Sequence, residues 1–402
     1  NNGSGLEFTV TNNPSQPGQN SLTITVVNGG SDYLEGNILN IPNQWFGTGY
    51  QAFSITVTAA MLTNNSFSNE SALLSALQQE INSGLVRVYE RDASNNWVQV
   101  GGDIEGEANL DNSGYSVSLS ADGTIVAIGA PYNNANGSDS GHVRVYVRDP
   151  TKITAQTDQT LPNFGPIGWN RVGGDIDGEA AVDNSGWSVS LSGDGTIVAI
   201  GAVRNDGNGH GSGHVRVYER DAITDSWVQV GTDINGEAAD DFIGHSVSLS
   251  YDGKIVAIGA IYNDGNGSGS GHVRVYEINT SNDWVQVGTD IDGEDNWDQS
   301  GWRVSLSDNG TIVAIGAIYN GSNSGHVRVY ERDATKITAQ TDQTLPNFGP
   351  AGWNRVGEDI EGEAAYDLSG YSVSLSGDGT ILAIGAVLND GNGSNSGHVR
   401  VY

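Results

Sequence analysis

Five times the chain repeats the phrase Asp-Ile-x-Gly-Glu followed four residues later by Asp. It sets out Asp103, Glu107 and Asp111; Asp175, Glu179 and Asp183; Asp233, Glu237 and Asp241; Asp290, Glu294 and Asp298; and Asp359, Glu363 and Asp367. Hard oxygen donors clustered around a glycine are what Ca2+ takes as ligands. A surplus of acid over base, 48 against 17 residues for a net charge of −31, favours a cation further. The spacing is not that of an EF-hand, and Asp commonly caps turns by accepting backbone N–H groups, so a purely structural role stands beside calcium.

Five of the seven histidines also recur in register, as His142, His214, His272, His326 and His398. Metal ligands converge three or four at a time, so one imidazole per repeat predicts a polar start to a strand rather than a metal centre. Trp97, Trp169, Trp227, Trp284 and Trp353 share another position, and Trp187 and Trp302 a third. Aromatic residues at regular strand spacing predict packing, with a ring of sugar platforms as the alternative. No Gly-x-Ser-x-Gly elbow, phosphate loop or His-Glu-x-x-His is present. A glycosidase needs one carboxylate pair about 5 to 10 Å apart, whereas these carboxylates repeat, so an enzyme ranks below a structural protein and a lectin.

The negative charge excludes nucleic acid as a partner. Without cysteine there is neither a disulfide framework nor a thiolate site. Asn-x-Ser/Thr occurs at Asn2, Asn64, Asn69, Asn136, Asn266, Asn279, Asn309, Asn320 and Asn392, mostly in Gly/Asn/Ser loops. N-glycosylation and an extracellular location, on a cell or virion surface, are therefore expected. No apolar stretch of about 18 residues could span a membrane. The chain begins at Asn1 without Met and reads as a processed product or fragment.

These residues need elements to position them, and the elements repeat too. The longer phrase around them begins Ser-Gly-Tyr-Ser-Val-Ser-Leu-Ser and continues through a turn, Ile-Val-Ala-Ile-Gly-Ala, a loop and Ser-Gly-His-Val-Arg-Val-Tyr. It first runs complete from Ser113 to Tyr146, and Gly114 recurs as Gly186, Gly244, Gly301 and Gly370. Such a period marks one supersecondary unit that must stack on its neighbours to bury an apolar face. Each unit holds four alternating runs: a (Tyr115 to Ser120), b (Ile125 to Ala130), c (His142 to Val147) and d (Trp97 to Val100 in the first pass). Asp122-Gly123 and its counterparts between a and b are strong hairpin signals. Four antiparallel strands make a blade, and radially repeated blades make a β-propeller. Residues 151–173 and 335–357 are the same text but for Ile167 against Ala351, so that connection was copied with its blade.

Ser185 to Val189, Val198 to Ala202 and Gly213 to Tyr218 resemble the FG-GAP repeats of integrin α-chain propellers. They are closer still to the variants in secreted algal and marine bacterial surface proteins. The resemblance covers residues 84–402 as one five-repeat domain. It departs from integrins in the short a to b connection, which leaves no room for their calcium loop. Residues 1–83 read as a small β-sandwich or roll with runs at Leu6 to Val10, Leu22 to Val27, Gly36 to Ile41 and Ala52 to Thr58, and a helix over 68–82. Val26 to Tyr33, Gly36-Asn37 and Ile41-Pro42 resemble a β module of marine phage and algal-virus virion proteins. The expectation is an all-β, non-enzymatic structural or adhesive glycoprotein that assembles head to tail into a fibre. A lectin is the alternative and a polysaccharide hydrolase the second. Run c occurs once more than a, b or d, so either the ends join in a five-bladed ring, with Trp97 to Val100 completing the last blade, or the ring is longer.

Overall fold

The computed structural model describes residues 83–161, 163–345 and 347–402 in full. Of residues 1–82 it describes four strands by their backbone. The chain divides into two compact units, Asn1–Ser83 and Gly84–Tyr402. In the first, Glu7–Gln16 pairs antiparallel with Gln19–Asn28, and Ile38–Ile41 with Phe53–Thr56. These pairs are two separate two-stranded sheets. The helix expected over 68–82 lies outside the described residues.

The second unit is a β-propeller, built from antiparallel sheets in the strand order that the repeat foretells. In the first complete sheet a is Ser116–Leu119, b Ile125–Ala130, c His142–Arg148 and d Trp169–Arg171. Asp122 makes the a to b turn by accepting from Thr124 N–H and from the Ser120 and Thr124 hydroxyls, while Gly123 takes a positive φ. Strand d is longer than the alternation shows. After Val172 it breaks at a glycine and resumes as Ile176–Asp177, which pairs with His142 and Val143 at the head of c. The Asp-Ile-x-Gly phrase is thus half strand, not loop.

Strand b is buried along its whole length because a blade has neighbours on both faces. Its alternate residues serve different cores. Val126 and Ile128 pack with Val86, Val100, Tyr146 and Trp169, whereas Ile125 and Ala127 pack with Val189, Leu191, Val198 and Ile200 of the next blade. Backbone stitches follow the same step. Ala121 N–H donates to Gly193 O, Gly193 N–H to Tyr251 O, Tyr251 N–H to Asp308 O and Asp308 N–H to Gly377 O, joining successive a to b turns. At the inner strands, a β-carbon on Gly129 would lie 2.1 Å from Gly186 O, and one on Gly201 2.1 Å from Gly244 O. The repeated glycines let two backbones touch.

One expectation is overturned. Trp97–Gln99 does not complete the fifth blade; it pairs with Tyr89–Arg91, the strand just before it. A hairpin across a short turn closes at far smaller entropic cost than a pairing between sequence-distant strands, and Asp92 ties that turn by accepting from Ser94 and Asn96 N–H. The fifth sheet accordingly holds Ser369–Leu375, Leu382–Ala386 and His398–Val401 without a d strand.

The glycine contact generates a test. Gly201→Ala forces a methyl against backbone, so it should cost about 1–3 kcal/mol or more. Gly385→Ala meets chiefly the movable Ser372 hydroxyl and should cost clearly less. Denaturant midpoints of the two variants check this, and equal losses would contradict the backbone-contact account.

Candidate functional site

The expected calcium triads do not converge. In the first copy Asp103 accepts from Arg87 Nε at 3.0 Å and Nη2 at 2.7 Å, and from Gln99 Nε2 at 2.7 Å. Asp111, buried, accepts from Ala108 N–H at 3.1 Å and Asn133 Nδ2 at 2.8 Å. Glu107 turns instead to Arg144 on strand c. Asn133 Nδ2 also reaches Glu107 Oε2 at 3.4 Å, so Glu107 and Asp111 share that amide, while Asp103 stands apart with Arg87 and Gln99. The later copies divide alike: Asp183, Asp241, Asp298 and Asp367 tie their own loops through Ala180, Ala238, Asp295 and Ala364 N–H. Glu179, Glu237, Glu294 and Glu363 pair with Arg216, Arg274, Arg328 and Arg400. A Ca2+ ion finds no common set of free oxygens there, and the residues do not fit it.

What the fold does bring together is a different quartet. Strand c supplies His and, two residues on, Arg; the loop before strand a supplies Glu; the resumed part of d supplies the preceding Asp. In the first complete blade Arg144 Nε and Nη2 grip Asp175 at 2.9 and 2.8 Å, and Nη2 also meets Glu107. His142 Nδ1 stands 3.7 Å from Glu107 Oε2, beyond hydrogen-bond range. Glu179, His214 and Asp233, then Glu237, His272 and Asp290, then Glu294, His326 and Asp359 repeat the grouping, with ligand atoms within 4.8 Å of one another. The donor types would suit a transition metal, but each group already holds an arginine. In three of the four the guanidinium bridges both carboxylates, as Arg144 does with Glu107 and Asp175, Arg274 with Glu237 and Asp290, and Arg328 with Glu294 and Asp359. Arg216 meets Glu179 alone, at 3.5 Å, and gives its other bond to Asp177 O. The arrangement is an ion-pair clamp between the loop leading into a blade and the blade's outer strands.

Electrostatics agree with the geometry. Burial works to raise Asp175, yet the Arg144 guanidinium holds it below the usual carboxylate range. Burial, with Arg144 beside it, lowers His142 to about 4, and burial with Arg216 lowers His214 to about 4. His272 and His326 are lowered by burial as well. These imidazoles are neutral at physiological pH and fill space at the head of strand c, a role that sequence spacing foresaw. The partnership with the following Arg was missed, although His-Val-Arg recurs in every copy and marks two residues on one face of a strand.

The tryptophans of strand d are structural. Trp169 and Trp353 are fully buried, and the indole N–H groups of Trp169, Trp227, Trp284 and Trp353 donate to Val100, Val172, Val230 and Val287 O of the preceding blade. Each ring lies on the glycine after that valine: an added β-carbon at Gly101 would fall 2.7 Å from Trp169 Nε1. As a ring of sugar platforms they are not available, Trp97 apart, which is 71% exposed. Among the glycosylation candidates, Asn136 Nδ2 donates to Gly178 and Glu179 O, and Asn266 Nδ2 to Gly293 and Glu294 O. Asn320 is buried with its amide on Asp298. In the folded chain these three amide nitrogens are engaged, whereas Asn279, Asn309 and Asn392 are exposed, Asn279 Nδ2 making one long bond to Asp283 at 3.4 Å. Asn2, Asn64 and Asn69 lie outside the described residues.

The FG-GAP repeat family matches residues 105–146, 176–218 and 361–402. The chain carries FG-GAP repeats. These FG-GAP segments run from the resumed d strand to the end of c, so the family's repeat is cut across blades. No curated protein matches the chain. Among solved structures, a provisional 6-phosphogluconolactonase of Bacteroides uniformis is similar at 15% identity, over 77% of this chain and 76% of that one, with a TM-score of 0.46. A functionally unknown protein of Desulfotomaculum acetoxidans shares 13% identity over 80% and 76%, with a TM-score of 0.47. The periplasmic gluconolactonase of Pseudomonas aeruginosa shares 15% over 75% and 74%, with a TM-score of 0.44.

Two outcomes follow from the clamp. The unfolded chain takes up protons on histidine near pH 6.5, whereas folded His142 and His214 resist until about 4. The unfolded state binds more protons across that window, so stability falls with pH between about 6.5 and 4. Carboxyls raised by burial, such as Asp111 and Asp298, oppose this. Melting temperatures from pH 7.5 to 4 should trace that fall and be unmoved by a chelator; a flat curve would show that the imidazoles are not held neutral.

Separately, Arg144→Met strands two partly buried carboxylates and should cost about 3 kcal/mol, the low end for a broken buried pair. Arg216→Met, whose contact with Glu179 is 3.5 Å, should cost less. Paired denaturation curves decide the order.

Proposed function

We propose that this FG-GAP propeller is a non-enzymatic extracellular protein with a structural or adhesive role, glycosylated on exposed loops and built into a surface fibre. The observation that supports the reading best is the use made of its chemistry-bearing residues. The repeated Glu, Arg and Asp side chains neutralise one another blade after blade beside a buried His, and the repeated tryptophans seal one blade to the next. A catalytic centre needs one constellation unlike the others, and these groups are alike. FG-GAP repeats are typical of extracellular proteins, and no helix among the described residues is long and apolar enough to cross a membrane.

Assembly has a physical basis in the fifth sheet. Among the described residues, strand His398–Val401 pairs on one side only, with Val399 69% and Val401 67% exposed. An open strand edge accepts another strand, whether from a continuation of the chain or from a neighbouring copy. In the second case donor and acceptor surfaces differ, which favours an open, head-to-tail filament. Light scattering and electron microscopy of the native material test this. Filaments that disappear when His398–Tyr402 is deleted support it, and monomers throughout, or turnover of algal polysaccharides by the pure protein, would overturn it. Glycopeptide mapping should find sugar on Asn279, Asn309 or Asn392 and none on Asn136, Asn266 or Asn320.

A carbohydrate-binding propeller remains the second reading. It is favoured by aromatic side chains on the inner strands that blade packing does not consume.

A further inference from the structure

The residue after the glycine of each strand a is Tyr115, Trp187, His245, Trp302 and Tyr371 in turn. Their rings form a continuous series. Centroids lie 4.7 Å apart for Tyr115 and Trp187, 6.0 Å for Trp187 and His245, 4.7 Å for His245 and Trp302, and 5.5 Å for Trp302 and Tyr371. Because strand a is innermost in each blade, this is a collar at the propeller axis. Its two ends, Tyr115 and Tyr371, are 46% and 37% exposed.

The next position is serine in four blades, Ser116, Ser188, Ser246 and Ser372, and arginine in the fourth, Arg303. The serines have structural work. Ser116 Oγ donates to Gly186 O at 2.8 Å and Ser188 Oγ to Gly244 O at 2.7 Å, across the glycine contact that joins blades. Arg303 has no hydroxyl to give Gly370. Its described hydrogen bond is a long one, Nη1 to Trp302 O at 3.4 Å. The ionisable side chains nearest it are Tyr115 and Tyr371, the collar's two ends, and no carboxylate is among them. In a chain with 48 acidic residues, among the described arginines only exposed Arg91 and Arg204 likewise lack a carboxylate. Beside Arg303, the indole N–H of Trp302 is buried with no acceptor.

Here the repeat departs from serine, forgoes the hydroxyl that Ser116 and Ser188 give to the neighbouring blade, and holds a partly buried charge without a carboxylate. Local departures that weaken a fold concentrate where a ligand restores what was lost. An anion would supply an acceptor to the indole N–H and a charged partner to the guanidinium. The flanking rings offer flat apolar faces, and the tyrosine hydroxyls offer hydrogen bonds. That combination suits a pyranose, whose C–H faces stack on aromatic rings while its substituents bond at the edge. The overall charge of −31 repels polyanions, so a single negative group on a sugar ring fits better than a highly charged polymer. We propose that the axial collar, with Arg303 as its anion contact, is a binding site for a saccharide unit bearing one carboxylate or sulfate. This goes beyond the fibre reading and stands whether or not the chain assembles.

The test uses the whole chain, titrated by calorimetry and tryptophan fluorescence with glucuronic acid, galactose 6-sulfate, glucose, sodium sulfate and a short peptide with a free C-terminal carboxylate. Saturable binding of the acidic sugars above glucose, sulfate and peptide is expected. Arg303→Ser, which installs the residue of the other four blades, should weaken acidic-sugar binding about tenfold or more. Its melting temperature should be unchanged or raised, which separates a lost contact from a lost fold. Arg303→Lys should retain part of the affinity, and Trp302→Phe should lower it. Equal binding of acidic and neutral sugars, a preference for bare sulfate or for the peptide, no binding by the parent, or an Arg303→Ser variant that binds as well would each overturn the assignment.

Discussion

The propeller depends on two backbones touching near its axis. Wherever strand b of one blade meets strand a of the next, a glycine faces a glycine carbonyl, at Gly129 and Gly186, Gly201 and Gly244, Gly259 and Gly301, and Gly316 and Gly370. A side chain at either member would separate the inner strands. The serine hydroxyls, the turn-to-turn amide bonds and the indole contacts all need the spacing that this approach sets. Close packing makes such a contact all or nothing, since a protein interior has little slack to absorb a methyl group.

A second constraint is charge. A net charge of −31 works against a compact state through self-repulsion. The fold answers by placing an arginine of strand c against the incoming Glu of each blade, and in three blades, at Arg144, Arg274 and Arg328, against a second carboxylate that arrives from strand d. Burying such groups would be costly singly, but paired and hydrogen-bonded they are tolerated and fix where the loop before each blade must run. The neutral histidines beside Arg144, Arg216, Arg274 and Arg328 fit this view, because a second positive charge in that place would meet the guanidinium.

Repetition itself separates scaffold from site. Residues that recur from blade to blade, the Asp or Asn of the hairpin turns, the Trp of strand d and the Glu, Arg and Asp of the quartet, have partners in the blade or its neighbour. Arg303 repeats nowhere and has the poorest set of partners among the withdrawn arginines. In a repeat protein, each copy serves as the reference for the next, and a deviation that costs a bond carries more information than a motif that recurs.

Much was legible in the residues alone. Period-2 alternation marks the faces of a strand, and Asp-Gly between two such runs leaves little but a hairpin, so the strands, their order and the blade followed from local chemistry. Strand b was placed from Ile125 to Ala130 because both of its ends are set by turns. The break in strand d was not legible, since two residues after a glycine carry no period. The partners of Asp103, Glu107 and Asp111 were not legible either. Adjacency in sequence suggested one cluster, but a carboxylate's partner is set by which strand passes within about 3 Å of it, and strands c and d pass only once the blade has folded. The aromatic collar belongs to the same class. Tyr115, Trp187, His245, Trp302 and Tyr371 are 57 to 72 residues apart in sequence, and only radial stacking of the blades, which sequence period implies but does not orient, turns them into neighbours.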